Sequence, residues 1–299
     1  MKITKPIILV GTGRSGTSVI TDILVRHKDL AYPSIYNDVF YKYPKINLIR
    51  NIFDNSFWRI FGEKNQLNKV SFFNKYVFRH SEPYKMWEFL TEEDTDFSRN
   101  YLLNKKAHQK TVEKFQTYFS KMLKYQNRSR LIFKLTGAPR MCYLLSIFPD
   151  AQFVVFKRKF IPTLSSILKV DFWQKKGLKD IWIRGAYSKK ELDLAESLKT
   201  NPVLITALQL KKMNEILNKE LEELEPPNII IQYENFVSNP SSTIREILSF
   251  LELSEDDSCL DFFKSKEIIN RNKENKSYFN ENELDAIKKI FDFDKELRS

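Results

Sequence analysis

Short apolar runs alternate along this chain with longer segments in which apolar positions recur every three or four residues. Four of the runs have β character, at residues 6–10, 131–135, 152–156 and 228–232. Strands that are apolar on both faces and interleaved with helices are typical of a parallel sheet covered on both sides. The pattern therefore predicts an α/β fold of three layers, α/β/α, around a central parallel sheet.

The remaining segments divide into helices and one irregular stretch. Helical periodicity predicts helices over residues 16–27, 97–123, 140–148, 161–170, 189–224, 240–251 and 281–291. The stretch 31–95 is rich in Tyr, Phe, Trp and Asn and has weak periodicity, so we expect an insertion of loops and short helices over the mouth of the sheet. No repeat, low-complexity tract or linker interrupts the chain, and residues 1–299 are expected to form a single domain.

Composition narrows the class of protein. The chain has 299 residues, of which 42% are hydrophobic, and a formal net charge of +11. This charge favours an anionic ligand, an acidic membrane surface or nucleic acid, although lysine-rich usage also follows from genome base composition. The two cysteines form no disulfide framework, and no signal peptide or membrane-length apolar run is visible. We therefore expect a cytoplasmic protein without a transmembrane segment.

A glycine-rich turn follows the first predicted strand. Residues 11–18 read Gly-Thr-Gly-Arg-Ser-Gly-Thr-Ser, and a predicted helix starts near Gly16. The backbone N–H groups of such a turn and the positive end of the helix bind an anionic group. A nucleoside triphosphatase carries a lysine after the last glycine of this loop, whereas here Thr17 follows and the positive charge is on Arg14. The sequence of this turn predicts a phosphate-binding site without the lysine that contacts the β- and γ-phosphates of a nucleoside triphosphate.

A second anion site is predicted after the strand at 152–156. Arg158 follows this strand directly after Lys157, and Ser166 lies on the next predicted helix. Ligands of open parallel sheets bind at the carboxyl ends of the strands, where an arginine and a hydroxyl hold one phosphate well. The strands at 152–156 and 228–232 are followed by Lys157 and Tyr233 and not by an aspartate that would hold Mg²⁺, so no metal is expected.

Together these segments resemble the sulfotransferases that use 3′-phosphoadenosine 5′-phosphosulfate (PAPS) as donor. Segment 11–18 resembles the family's 5′-phosphosulfate loop, 148–166 its 3′-phosphate strand and helix, and 231–251 its later Tyr-Glu-Asp-Leu segment. Lys134 and Arg140 stand where many bacterial and carbohydrate-type members carry basic residues. The resemblance implies a fold like that of P-loop-containing nucleotide hydrolases. It also implies metal-independent sulfuryl transfer from PAPS to a hydroxyl or an amine.

The resemblance assigns roles to individual residues. Arg14 would neutralise charge on the bridging oxygen and the sulfuryl group as the S–O bond breaks, as positive charge does in phosphoryl transfer. Arg158 and Ser166 would hold the 3′-phosphate, and Tyr233 would pack near the adenine. The residues implied to hold the 5′-phosphosulfate are Gly13, Arg14, Ser15, Gly16, Thr17 and Ser18.

The chain departs from the family pattern at two places. The family commonly has Arg-Asn-Pro or Arg-Asp-Pro where this chain has Arg158-Lys-Phe-Ile-Pro162. The family's C-terminal basic loop is only loosely matched, by Arg271, Asn272, Lys273 and Lys276, of which Arg271 and Lys273 are candidate cofactor ligands.

The acceptor usually needs a general base within hydrogen-bond reach. The sequence offers Glu82 first, then Asp38 and then His80, whereas His27 is expected to be structural and His108 solvated. The aromatic residues of the insertion either line an acceptor cleft or form its core; they are Tyr36, Phe40, Tyr41, Phe57, Trp58, Trp87 and Phe89. The acceptor expected here is a small molecule, a glycan or a lipid.

Three other functions remain open at this point. A kinase with a degenerate phosphate loop would need the Mg²⁺ aspartate and the lysine that the motifs lack. A basic nucleic-acid-binding protein would concentrate its lysines and exposed aromatics on one element, whereas here the lysines are scattered, so no nucleic-acid partner is expected. A sulfotransferase-like protein that binds the nucleotide without turnover would share every motif.

Overall fold

A five-stranded parallel sheet forms the centre of the protein. The computed structural model describes residues 3–53, 78–99, 102, 104–264, 270, 272 and 278–298, with backbone only at 53, 261–264 and 291–298. The strands are β1 Ile7–Gly11, β2 Leu30–Ala31, β3 Arg130–Thr136, β4 Gln152–Lys157 and β5 Asn228–Gln232, in the spatial order β2-β3-β1-β4-β5. Every pairing is parallel, and Gly11 pairs with Thr136 and Phe156. The carboxyl ends of β1, β3 and β4 therefore meet at one edge.

Helices connect and cover the strands. They are α1 Thr17–Leu24, α2 Tyr36–Val39, α3 Arg50–Phe53, α4 Tyr84–Leu90, α5 Gln109–Gln126, α6 Met141–Ile147, α7 Phe160–Leu168, α8 Lys189–Ser197, α9 Pro202–Leu224, α10 Tyr233–Ser238, α11 Pro240–Phe250, α12 Asp257–Lys264 and α13 Glu281–Arg298. A 3-10 helix spans Pro44–Ile49 and a π-helix spans Trp173–Gly177. Within the described ranges, no helix combines the length and the apolar character needed to cross a membrane.

Alternate residues of the strands face two separate cores. On one face, Ile8 and Phe133 pack in a buried cluster with residues of α5 and α6. On the other face, Ile7 and Ile132 pack with residues of α1 and α11. A third cluster joins α7, α8, α9 and α13 beside the sheet. Because strands without polar alternation can bury both faces, the predicted three-layer α/β/α fold is confirmed.

Several predicted element boundaries were wrong. The helix predicted at 97–123 begins at Gln109, because the Glu88 carboxylate accepts hydrogen bonds from the N–H groups of Phe97 and Ser98 and holds that segment in turns. The helix predicted at 189–224 is two helices. The side chain of Asn201 caps α9, whose first residue is Pro202, so a new helix starts there. The two-residue strand β2 was not predicted.

The insertion predicted at 31–95 is described only in part, since residues 54–77 lie outside the described residues. Ser34 forms an isolated antiparallel bridge with His80, which ties the two ends of the stretch together. The Trp87 side chain is fully buried, with its ring centroid 4.9 Å from that of Phe133 on β3. Trp87 is therefore part of the core, whereas Phe57 and Trp58 fall outside the described residues.

Candidate active site

The turn between β1 and α1 is closed by its own hydrogen bonds. The N–H and Oγ of Ser15 both donate to the carbonyl oxygen of Thr12, at 3.2 and 2.7 Å. Arg14 has φ 70° and Gly16 has φ 99°, so the chain twice enters the left-handed region within three residues. Helix α1 then begins at Thr17, and the first N–H groups of a helix have no carbonyl partner within it. The turn presents these donors at the positive end of the helix.

Two glycines allow this turn to pack closely against its neighbours. A Cβ atom on Gly16 would lie 2.7 Å from Cδ2 of Tyr233, the first residue of α10. A Cβ atom on Gly11 would lie 2.7 Å from the carbonyl oxygen of Phe156 on β4. Real Cβ atoms do not approach other atoms so closely, so the turn can rest on β4 and Tyr233 only with glycine at both positions.

The two predicted anion-binding segments are in direct contact. Arg14 Nε donates to Ser166 Oγ on α7 at 3.0 Å. Arg158 Nη1, just after β4, donates to the carbonyl oxygen of Arg14 at 2.9 Å. Arg14, Arg158 and Ser166, predicted from separate parts of the sequence, thus form one corner at the carboxyl edge of the sheet. We call this the donor corner.

Arg158 is held on three sides. Its guanidinium lies 4.3 Å from the ring centroid of Tyr233, a stacked cation–π arrangement. Its Nε donates to Oδ1 of Asn272 at 2.8 Å, and Nδ2 of Asn272 donates to Glu234 at 2.7 Å. Of the loosely matched basic loop, Asn272 therefore reaches the site. Arg271 and Lys273 lie outside the described residues.

Glu82 lies beside the same edge, next to β3 and α1. Its carboxylate is 3.0 Å from Lys134 Nζ, and Lys134 Nζ donates to Ser18 Oγ on α1 at 2.9 Å. The N–H of Thr136 donates to Glu82 at 2.8 Å, and Oγ1 of Thr136 donates to it at 2.9 Å. We call this group of Glu82, Lys134, Thr136 and Ser18 the carboxylate pocket.

The electrostatics of the pocket keep Glu82 ionised. Burial alone would raise its pKa, but attraction to Lys134 and the hydrogen bonds from Thr136 outweigh burial and hold the pKa below its ordinary value. At neutral pH the group is a carboxylate, the form that can accept a proton.

The other two candidate bases are placed differently. His80 Nε2 lies 2.6 Å from Oδ1 of Asp22 on α1, one turn beyond Ser18. Asp38 Oδ1 accepts a hydrogen bond from the N–H of Lys85 in the first turn of α4 at 3.0 Å. The structure thus brings His80 and Glu82 to α1 and places Asp38 at the start of α4.

Two histidines occupy the surroundings expected for them. His27 is completely buried, and its Nε2 lies 3.1 Å from the carbonyl oxygen of Ser254. The His108 side chain is 74% exposed.

The sequence analysis missed Thr136 and Glu234 as site residues. Both stand at the carboxyl end of a strand, a position that itself indicates a ligand site in a parallel sheet.

Comparisons with known proteins agree with this geometry. A family model described as "Sulfotransferase family" matches residues 6–257. The sulfotransferase STF9 from Mycobacterium avium is similar in structure, with a TM-score of 0.57, 14% identity, and 97% of this chain and 76% of that chain covered. The sulfotransferase STF1 from Mycobacterium tuberculosis H37Rv gives a TM-score of 0.51 and 12% identity, with the same coverage.

The two kinds of match carry different weight. No curated protein matches this sequence significantly. At these identities, the solved structures show the fold alone, a central parallel sheet of the P-loop-like kind with helices on both sides. The family model spans most of the chain and includes both the turn after β1 and the segment after β4. The protein therefore belongs to the sulfotransferase family, whose members are transferases of the sulfuryl group.

Proposed function

We propose that this protein transfers a sulfuryl group from PAPS to a hydroxyl or an amine of an acceptor. One observation carries the proposal, the contact of both predicted anion-binding segments within the donor corner. Arg14 bonds to Ser166, and Arg158 bonds to the backbone of Arg14. A donor with phosphate groups on both its 5′ and its 3′ oxygens needs two adjoining anion sites. A nucleoside triphosphate needs one extended site with a metal.

The chemistry of these side chains suits such a donor. Guanidinium groups, hydroxyls and the N–H groups at the start of α1 are all hydrogen-bond donors to phosphate oxygens. In the proposal the turn from Gly13 to Ser18 holds the 5′-phosphosulfate, Arg158 and Ser166 hold the 3′-phosphate, and Tyr233 packs near the adenine. The contact between Arg14 and Ser166 would then be exchanged for contacts with the donor.

The transfer would be an in-line displacement at sulfur. The acceptor oxygen or nitrogen forms a bond to sulfur while the bond from sulfur to the 5′-phosphate oxygen breaks, and the electrons of that bond stay on the phosphate oxygen. Arg14 stabilises this negative charge, which requires a positioned cation and no covalent intermediate. The product nucleotide is 3′-phosphoadenosine 5′-phosphate (PAP).

Glu82 is the base that we propose for the acceptor proton. It is ionised, and Lys134 connects it to Ser18 of α1, beside the turn where the sulfuryl group would lie. Lys134 would stabilise the carboxylate before transfer and orient it toward α1. Asp38 and His80 are the alternatives.

The proposed acceptor is a small molecule, a glycan or a lipid. We place the enzyme in the cytoplasm, where the free thiols of Cys142 and Cys259 stay reduced.

Calorimetric titration of the full chain with PAP, and separately with ATP and Mg²⁺, tests the donor. We expect metal-independent binding of PAP that Arg158→Ala and Arg14→Ala each weaken by at least about tenfold, because each removes a charge-assisted contact. Arg245→Ala, an arginine outside the site with a 58% exposed side chain, is the matched control and should bind PAP as the wild type does.

The other outcomes separate the alternatives. Preference for ATP with Mg²⁺ would favour a kinase. Absence of binding to either nucleotide would favour a noncatalytic role. Tight PAP binding combined with failure to transfer radiolabelled sulfate from PAPS to any acceptor in a broad panel would favour a nucleotide-binding protein without turnover.

A further inference from the structure

One short segment carries an unusual share of exposed apolar side chains. Ten large apolar side chains are exposed among the described residues, and five of them lie within residues 39–52. They are Val39, Phe40, Tyr43, Leu48 and Ile52, exposed by 66%, 45%, 67%, 49% and 67%. Single exposed apolar residues are ordinary on a protein surface, but a concentration in one segment marks an interaction surface. We call residues 39–53 the apolar edge.

The charge of this region has one sign. The apolar edge contains two exposed lysines, Lys42 and Lys45, and no acidic residue, and its Arg50 is buried. A second segment, residues 114–149, which includes the greater part of α5, also contains no acidic residue. Exposed lysines of the two segments, among them Lys42, Lys45, Lys121 and Lys124, therefore favour an anionic partner.

A basic cavity opens at the end of α5. It has a volume of about 620 Å³, and Lys28, Lys121, Lys124 and Arg128 line it, with Asp29 as its one acidic residue. The lining residues 28–29 and 129 directly precede β2 and β3, so the cavity lies at the amino ends of these strands. The donor corner lies at the opposite, carboxyl edge. The cavity is therefore separate from the candidate active site.

Hydrogen bonds, two of them buried, hold the apolar edge against the helix that carries this cavity. Arg50 Nη1 donates to Oε1 of Gln126, the last residue of α5, at 2.6 Å, and Nε2 of Gln126 donates to Asn47 at 2.8 Å. Asn51 Nδ2 donates to the carbonyl oxygen of Tyr125 at 3.3 Å. Tyr125 and Gln126 belong to the same final turns of α5 as Lys121 and Lys124. Residues 47–51 of the apolar edge are therefore held against the same end of α5 that lines the basic cavity.

From this juxtaposition we propose that the apolar edge and the basic cavity form a docking surface for a bilayer that contains anionic lipids. The apolar side chains enter the boundary between headgroups and acyl chains, and the cavity binds lipid phosphates. Peripheral proteins combine these two contributions, because neither apolar insertion nor charge attraction alone gives firm attachment. A nucleic acid would use the charges and leave Leu48 and Ile52 without a role. The proposal does not depend on sulfuryl transfer.

Sedimentation of the full chain with lipid vesicles tests the proposal. We expect binding to vesicles of phosphatidylcholine mixed with phosphatidylglycerol, weak binding to phosphatidylcholine alone, and loss of binding at high salt. The double variants Leu48→Ser/Ile52→Ser and Lys121→Glu/Lys124→Glu should each weaken binding at least about tenfold.

Matched controls come from residues outside the apolar edge and the cavity. Phe172→Ser/Leu192→Ser removes two apolar side chains of similar exposure, and Lys189→Glu/Lys190→Glu reverses two exposed lysines on α8. Both should bind vesicles as the wild type does, and circular dichroism confirms that every variant is folded.

Three results would overturn the proposal. The first is equal loss of binding in the test and control variants, and the second is absence of binding to anionic vesicles. The third is a loss caused by the lysine variant alone, which would mean that the apolar edge takes no part. Titration with inorganic phosphate tests whether the cavity is instead a site for a soluble anion. A protein that binds free phosphate but does not bind vesicles would have such a site.

Discussion

The donor corner and the carboxylate pocket lie at the same edge of the sheet but are built from different chemistry. The donor corner consists of arginines, a hydroxyl and backbone N–H groups, and Arg14 contacts both Ser166 and Arg158 directly. The carboxylate pocket is centred on Glu82, whose charge depends on Lys134 and Thr136.

This difference separates two physical requirements. Anion binding needs fixed positive charge and a turn of defined backbone shape, so it depends on glycines and on parallel strand ends. Proton transfer needs a group that can change charge, so it depends on partners that set a pKa. We therefore expect the donor corner to respond to changes in its backbone as well as its charges, and the carboxylate pocket to respond mainly to changes in charge.

The largest expected effect is on turnover. Glu82→Gln should lower the rate of sulfuryl transfer by about 10² to 10⁴ while PAP affinity changes only a few-fold, because a general base contributes about that factor to the rate. The assay follows radiolabelled sulfate from PAPS to an acceptor found by screening. Asp38→Asn should keep most of the activity, since the amide oxygen can still accept from Lys85. If Asp38→Asn or His80→Asn is the inactive variant and Glu82→Gln is not, the base is misassigned.

A backbone change in the donor corner should have the next largest effect. Gly16→Ala should lower the thermal midpoint and weaken PAP binding, because φ 99° costs a residue with a side chain about 1–3 kcal/mol and the new Cβ would lie 2.7 Å from the Tyr233 ring. Differential scanning calorimetry and titration measure both effects. Gly13→Ala is the matched control for stability, since its Cβ would meet nothing within 4 Å. Equal thermal midpoints for the two variants would show that Tyr233 does not support the turn.

The stability of the fold should also respond to pH, through Glu220 on α9. Burial raises the pKa of this group to about 7, although the N–H groups of Met141 and Cys142 bind it and lower the value. A raised pKa in the folded state means that the contribution to stability is present below about pH 4.5 and is lost as the pH rises through 7. The α6 turn that Glu220 holds begins next to Arg140, whose guanidinium binds the carbonyl oxygens of Phe97 and Ser98 beyond α4.

Chemical denaturation at several pH values measures this contribution. The free energy of unfolding of the wild type should fall relative to that of Glu220→Gln as the pH rises from 5 to 8, by on the order of 3 kcal/mol at most. Glu222→Gln removes an exposed carboxylate on the same helix and should leave the wild-type pH dependence in place. Parallel curves for the wild type and Glu220→Gln would contradict the assignment.

The smallest expected effect concerns the support of Arg158. Asn272→Ala removes the hydrogen bond to Nε of Arg158 and leaves Tyr233 and the carbonyl oxygen of Arg14 in place. We expect PAP affinity to fall by up to about tenfold, in keeping with one hydrogen bond to a charged group. Asn235→Ala, an exposed asparagine on α10, serves as the control for titration. A loss as large as that of Arg158→Ala would mean that Asn272 contacts the nucleotide itself.

The donor corner could largely be predicted from the sequence because its signals are local. A glycine turn after one strand and an arginine after another suffice, since the carboxyl ends of parallel strands meet whatever the distance between them along the chain. Arg14 and Ser166 are separated by 152 residues and still form a hydrogen bond. The three layers of the fold could be predicted for the same reason, because apolar runs that bury both faces of a sheet are also a local signal.

The carboxylate pocket could be predicted only as a choice among three residues. Nothing in the pattern around Glu82 shows that Lys134 and Thr136, on a strand about fifty residues later, would meet it. The start of α5 was missed for a related reason. The Glu88 carboxylate binds the N–H groups of Phe97 and Ser98, and this tertiary contact overrides the local helical pattern.

The assignment of the donor corner is tested most directly by comparing PAP with adenosine 5′-monophosphate, which lacks the 3′-phosphate. Titration of the wild type and Arg158→Ala with both ligands forms a thermodynamic cycle. The account predicts that the wild type prefers PAP by at least about tenfold and that Arg158→Ala loses most of this preference, with little change in affinity for the monophosphate. A variant that retained the full preference for PAP would show that Arg158 does not hold the 3′-phosphate and would contradict the account.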